Sequence, residues 1–355
     1  MSLTDFDKIY IGIEQEHFAF KNNRPPQYEE IQQFFRLMRQ RGYAHVHNGL
    51  DGVILFVSKQ TEFGTIKVSN DFCTHIIEAS LPPLINPSQI RQLFINIWTD
   101  ISESLLQLGI SLQYGASLST KPDTLIVDRN NRYDLHAKRQ RPTPYSRLWD
   151  PLFTTMMCAT QIHLEIIGEQ FYRALPTLYS YEYISPLLFS NSSSYLGEIM
   201  HCIRPMVWQN AFSKNYYVFG YPEQIPTSKD AYNSRIADSI GFIRDYSFIA
   251  PREFGTAEFR STCSQNSVDD VLLVAALRLL SWITAVRVDD SDYSQPEMRG
   301  HFLRVCQTGK PDINILQNHI SNFEKSEKCW PKQWCELFNI IIFRLKTILS
   351  NSVSL

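Results

Sequence analysis

The sequence is first narrowed by what it does not contain. No GxSxG elbow, Walker A loop, GxGxxG turn or HExxH helix occurs anywhere in the 355 residues. That removes the usual serine-hydrolase, P-loop, dinucleotide-fold and zinc-protease designs. The seven cysteines, at 73, 158, 202, 263, 306, 329 and 335, never form a CxxC pair. A zinc site or a disulfide framework is therefore not expected, and reduced thiols point to the cytoplasm. Charge nearly cancels, with 34 Lys and Arg against 36 Asp and Glu. Neither nucleic acid nor an anionic membrane gains a reason to bind. There is no internal repeat and no low-complexity linker, and the polar opening "MSLTDFDK" lacks the apolar core of a secretory leader. The most apolar run, Val271 to Val288, carries Arg278 in its middle and follows Asp269 and Asp270. It is expected to be a buried helix rather than a membrane span. Ser267, with Asp270 three residues on, fixes where that helix begins.

Hydrophobic residues make up 44% and aromatics 13% of the chain, enough for a large core. One catalytic domain over 1–355 is expected, with a helical extension over 296–355. Helical spacing places Ile31, Phe34, Phe35 and Met38 on one stripe, stopped at Gly42. It places Ile90, Phe94, Ile97, Ile101, Leu105 and Leu108 on another, stopped at Gly109. Strands are expected over Tyr10–Phe20, through Tyr43–Leu81, in "ISLQYGA", in "TQIHLEII" and in "REFGTAEFRST". Helices and strands mix without a βαβ rhythm, which predicts an α+β fold: a mainly antiparallel sheet covered by helices.

The strands share one peculiarity. Side chains alternate faces along a strand. In "YIGIEQEHFAF", Ile9, Ile11 and Ile13 share one face, while Tyr10, Gly12, Glu14, Glu16 and Phe18 share the other. The two carboxylates then sit roughly 7 Å apart. Gln161 and His163 share a face opposite Ile162 and Leu164; Glu258 and Arg260 lie opposite Ala257 and Phe259. In "NDFCTHIIEASLPP", Glu78 is expected with Ile76 on one face, and His75 with Ile77 on the other, with Asp71 just ahead. A solvated sheet face pairs charges of opposite sign, yet Glu14, Glu16, Asp71, Glu78 and Glu258 would repel one another. Divalent cations relieve such repulsion, and hard cations such as Mg²⁺ share carboxylate oxygens with phosphates. The residues themselves thus point to metal and a phosphorylated ligand. A buried Glu258–Arg260 ion pair, a satisfied strand histidine at 163, surface histidines at 45 and 47, and packing roles for Cys73, Cys158 and Cys263 are the plainer alternatives.

The order of motifs resembles the glutamate–cysteine ligase family, within the glutamine-synthetase-like carboxylate–amine ligases. "GIEQEHFAF" is similar to the opening GxExE strand, and "DFCTHIIEASLPP" to the second acidic strand, with Asp71 and Glu78 at its acidic positions. "RYDLHAKRQ" resembles the Arg-Tyr segment, "CATQIHLEI" the central strand, and "LLFSNSSSYLGE" the turn that precedes an Arg, here Arg204. "EFGTAEFRSTCSQNSVDDVLLVAALRLL" resembles the closing strand–helix segment. The match runs over 10–280.

The resemblance implies a saddle-shaped antiparallel sheet with helices on one side and a funnel-like active site on the other. It implies ATP as co-substrate and two or three Mg²⁺ ions held by Glu14, Glu16, Asp71, Glu78 and Glu258, completed by Gln161 or His163. Catalytic roles would fall to Arg204, Arg260 and Glu16, and nucleotide-side contacts to Arg132, Arg260 and Glu258. The implied reaction joins glutamate to cysteine through a γ-glutamyl phosphate in a monomer or homodimer. Some positions depart from the pattern. Gln161 stands where many relatives carry His, "NSSSYLG" lacks a proline and "STCSQNSVDD" lacks an Asp. A different amine or acid, a non-catalytic nucleotide-binding protein and a metal-dependent hydrolase remain as other readings.

Overall fold

The computed structural model describes residues 6–48, 53–123, 153–166, 168–211, 219–238, 245–288 and 294–353. Its strands are β1 (Ile11–Phe20), β2 (His45–Asn48), β3 (Ile54–Thr61), β4 (Gly64–Asn70), β5 (Ile76–Leu84), β6 (Ser111–Gln113) and β7 (Thr160–Leu164). Six short ones follow: β8 (Ser194–Tyr195), β9 (Glu198–Ile199), β10 (Phe219–Gly220), β11 (Tyr246–Ser247), β12 (Ile249–Pro251) and β13 (Ala257–Phe259). Among the described residues, nine strands form one sheet in the order β12-β13-β7-β1-β5-β4-β3-β2, with β6 also on β1. All its pairings are antiparallel, as the mixed pattern predicted.

The helices are α1 (Tyr28–Gln40), α2 (Pro87–Leu106), α3 (Glu169–Ser180), α4 (Ile184–Phe189), α5 (Ile203–Ala211) and α6 (Lys229–Ala237). Then come α7 (Val268–Arg287), α8 (Gln295–Thr308), α9 (Ile313–Lys325) and α10 (Cys335–Val353). The stripes read from spacing are buried, Ile31, Phe34, Phe35 and Met38 on α1 and Ile90, Phe94, Ile97, Ile101 and Leu105 on α2, but Leu108 lies past the end of α2 and is half-buried. α1, α2 and α7 pack on β3, β5 and β7 respectively. Gly42 and Gly109 follow α1 and α2 with φ of 93° and 69°, the left-handed conformation that ends a helix cheaply only at glycine. Ser267 Oγ accepts from the Asp270 backbone N–H at 3.1 Å, so α7 starts where its cap predicted. No described helix is long and apolar enough to cross a membrane.

The core face of β1 is not purely apolar. Gln15 and His17 share it with Ile11 and Ile13, and all four are buried. Thr160 Oγ1 donates to Gln15 Oε1 at 2.5 Å, and Gln15 Nε2 donates to Ser264 Oγ at 2.7 Å. His17 meets the edge of Trp98 at 4.6 Å, and burial holds its pKa down at about 4, so it is neutral at pH 7. This network ties β1 to β7 and to the entry of α7, fixing the central strands against one another.

Candidate active site

Strand register assembles the acidic face. Glu16 lies directly opposite Glu78 on β5, and Glu14 opposite Gln161 on β7. One step along, Gly12 lies opposite His163, and His163 opposite Glu258 on β13. Four adjacent strands therefore present these side chains on one face. Asp71 joins them from a turn, not a strand. Phe72 takes φ 56°, a left-handed conformation costly for a bulky aromatic, and Asp71 N–H donates to the Ile76 carbonyl at 3.2 Å. The strand reading is corrected here. Alternation begins only at Ile76, so His75 does not share the core face with Ile77. It stacks instead on Phe18 and leans on Phe20, at 6.3 and 5.5 Å, and its Nε2 lies 2.8 Å from the Thr155 carbonyl.

The carboxylates gather in two groups. One oxygen each from Glu16, Asp71 and Glu78 lie within 4.8 Å of one another, as do single ligand atoms from Glu14, His163 and Glu258. Burial, then the charges of Asp71 and Glu78, push Glu16 well above the ordinary carboxylate range. Glu78 is raised to about 7, by burial first and by Glu14 and Asp71 next. His163 would be lowered by burial, but the Glu14 carboxylate, 3.7 Å from its Nε2, outweighs that and raises it. The residues fit a divalent cation. Besides the crowded carboxylates, Gln161 donates through Nε2 to Glu16 Oε1 at 3.0 Å. Its own Oε1 is buried, with no hydrogen-bond partner among the described residues. A buried amide oxygen left so is costly unless something electropositive meets it.

A pH dependence follows. A carboxyl whose pKa is raised by folding stays protonated in the native state after the unfolded chain has lost its proton. The metal-free protein therefore loses stability as pH rises from about 4.5 to about 7, the interval over which Glu78 is displaced. A bound cation cancels the repulsion that causes this. Saturating Mg²⁺ should raise Tm by several degrees at pH 8 and hardly at all at pH 5, read by scanning calorimetry. An equal rise at both pH values would place the cation elsewhere.

Arginines flank the acids. Arg204 opens α5, where Ser192 Oγ accepts from its backbone N–H at 3.0 Å, and its Nη1 donates to the Arg260 carbonyl at 2.8 Å. The "NSSSYLG" turn thus seats Arg204 without the missing proline. Arg260 lies 5.6 Å from the Trp208 ring and 5.5 Å from Tyr246, within cation–π range of both. Its Nη1 donates to Glu258 Oε1, and Arg252 Nε donates to Glu258 Oε2. Arg204, Arg260, Trp208 and Tyr246, with Glu16 and Glu78, line a narrow cleft of about 60 Å³. Glu14 and His163 line a second, wider one of about 810 Å³, walled by Pro83, Tyr232, Arg252 and the exposed Phe254.

Every predicted site residue that is described falls in this region: Glu14, Glu16, Asp71, Glu78, Gln161, His163, Arg204, Glu258 and Arg260. Arg132 lies outside the described residues. His45 and His47 are exposed on β2, the last strand in the sheet order. The Glu258–Arg260 ion pair weighed from sequence is present, with Arg252 added. Sequence reading missed Arg252, Trp208, Tyr246 and the wide cleft. A signal for Arg252 existed. Gly255 has φ 78° and Arg252 N–H donates to the Thr256 carbonyl at 2.8 Å, so "REFGT" is a tight hairpin that folds position 252 back toward 258. All seven cysteines are free; Cys202 and Cys263 are buried with their sulfurs 3.4 Å apart.

No family model matches the sequence, and no curated protein matches it. Solved structures do, and at low identity they show a shared fold. One is the glutamate–cysteine ligase of Francisella tularensis in complex with AMP, at TM-score 0.60 and 11% identity, covering 96% of this chain and 82% of that one. Another is a bifunctional glutathione synthetase from Pasteurella multocida, at TM-score 0.64 and 12% identity. That match covers 98% of this chain and 49% of the Pasteurella protein, so the chain spans about half its length.

Proposed function

We propose that this chain is an ATP-dependent carboxylate–amine ligase, and that it joins the γ-carboxylate of glutamate to the amine of cysteine. The carrying observation is the pair of carboxylate groups on adjoining strands, with Arg204 and Arg260 buried beside them. Such a set suits a reaction that must hold a polyphosphate and an oxyanion together. The fold shared with a glutamate–cysteine ligase solved with AMP supports the nucleotide.

Two or three Mg²⁺ ions would be held by Glu14, Glu16, Asp71, Glu78 and Glu258, with Gln161 Oε1 and His163 completing the sets. When bound they supply charge neutralisation to the phosphate oxygens. The glutamate carboxylate attacks the γ-phosphorus of ATP, ADP leaves, and the amine displaces phosphate from the resulting acyl phosphate. The protein's own work is placement and charge. Arg260, pinned between Trp208 and Tyr246, is held ready for the transferring phosphoryl oxygens. Arg204, fixed by Ser192 and the Arg260 carbonyl, faces the substrate carboxylate. Planar guanidinium forks match both oxyanions. Arg132 is assigned to the nucleotide side.

The test is Mg²⁺-dependent ADP release from ATP and glutamate, with and without cysteine, beside a Glu14→Gln control. Cysteine-dependent turnover that the control abolishes is the expected result. The altered "NSSSYLG" and "STCSQNSVDD" loops favour a second reading, the same chemistry on another amine. In an amine panel scored the same way, strong preference for another acceptor would replace cysteine and keep the ligase. Mg·ATP binding without turnover on any amine would sink both.

A further inference from the structure

Glu258 has no exposed side-chain surface, and both its oxygens are taken: Oε1 by Arg260 Nη1 and Oε2 by Arg252 Nε. It is also the member of the Glu14–His163–Glu258 group that comes from β13. These two facts conflict once a divalent cation is considered. Each Glu258 oxygen keeps a second lone pair for a ligand, but a guanidinium charge beside a dication is strongly repelled in a buried site. Loading this group therefore favours displacing an arginine.

The surroundings say which one. Arg260 is confined between Trp208 and Tyr246, and its backbone carbonyl is bound by Arg204. Arg252 stands at the β12–β13 turn, and its Nη1 donates to the Asp245 backbone carbonyl at 2.9 Å. It borders the wide cleft together with Glu14 and His163. Arg260 faces the narrow cleft of about 60 Å³, whereas Arg252 has the wider one of about 810 Å³ to turn into.

We propose that Arg252 is an exchangeable counter-ion. Without a cation it neutralises Glu258. When a divalent cation takes Glu258, Arg252 turns into the wide cleft and grips the phosphate oxygens of a nucleoside triphosphate. The cation and the nucleotide are thereby coupled, because each occupies a partner that the other frees. This rests on the ligase reading for the identity of the anion; the exchange at Glu258 follows from the geometry.

The exchange predicts opposite effects on two ligands from one substitution. Arg252→Gln removes a competitor for Glu258 and a ligand for phosphate. In the full chain, Mn²⁺ alone, followed by electron paramagnetic resonance, should bind on the order of tenfold tighter to Arg252→Gln. A non-hydrolysable ATP analogue with Mg²⁺, followed by calorimetry, should bind on the order of tenfold weaker. Arg252→Lys keeps the charge and should leave Mn²⁺ affinity near the wild-type value. A merely structural arginine would weaken both ligands together. Mn²⁺ affinity unchanged or reduced in Arg252→Gln, at wild-type circular dichroism, overturns the exchange. Wild-type protein that binds Mn²⁺ but no nucleotide overturns the ligase reading instead, and the Mn²⁺ comparison still decides the exchange. Wild-type protein that binds no Mn²⁺ overturns both.

Discussion

Glu78→Gln should make the metal-free protein more stable and nearly inactive at once. Glu78 faces Glu16 across the strand pair, with its pKa raised to about 7 by burial and by Glu14 and Asp71. Its hydrogen-bond partners are the hydroxyls of Ser69 and Ser80, each at 3.2 Å, and hydroxyls can donate or accept, so an amide fits the same place. The substitution removes a repelling charge and one loose contact at 3.8 Å to the half-exposed Lys67, and it leaves no buried polar group without a partner. Tm in the absence of Mg²⁺ at pH 8 should rise by several degrees. Mg²⁺-dependent ADP release should fall by about 10²–10³, the range for losing one charge-stabilising group. A fall in both would mean that Glu78 is a structural carboxylate. Active sites often keep such repulsion because the ligand needs it.

Arg278→Met is expected to cost stability on a larger scale. Arg278 is the charge in the middle of α7, and it sits against Glu182 with Nη1 and Nη2 at 2.9 and 3.2 Å from the carboxylate oxygens. Nη2 also donates to Ser261 Oγ and Thr262 Oγ1, just beyond Arg260. Removing one partner of a buried pair leaves the other uncompensated, for a loss of about 3–5 kcal/mol. Denaturant unfolding should show that loss. Glu182→Gln combined with Arg278→Met should recover much of it, whereas an additive double variant would mean that the pair is not coupled. Because the pair pins the segment after β13, turnover in the single variant should drop as well, even at temperatures where it is folded.

The periodic elements were legible because each was argued from one face at a time. The α1 and α2 stripes, the cap at Ser267 and the acidic alternation of β1, β7 and β13 all appear where spacing put them. Legibility ended where the backbone leaves regular structure. The Asp71 turn depends on a left-handed Phe72, for which no local propensity gives a signal, and it carried His75 to the other face. Gln15 and His17 lie on a face whose isoleucines announced only packing; their partners Thr160 and Ser264 are distant in sequence. Cross-strand register also could not be read from one strand alone. The direct opposition of Glu16 to Glu78, which makes the site acidic, is a tertiary fact.

β1 also has a history that follows from its central place. One edge finds β5 soon after synthesis, but the Ile11–Gln15 stretch of its other edge pairs with β7, which begins only at Thr160. β6 protects only Phe18–Phe20 in the meantime. At ribosomal speed that opening lasts on the order of ten seconds. During that interval an unpaired strand edge bearing Ile11 and Ile13 is exposed to other nascent chains. Glu14 and Glu16, placed along the same edge, lend it charge, and charge on an open strand edge disfavours edge-to-edge association.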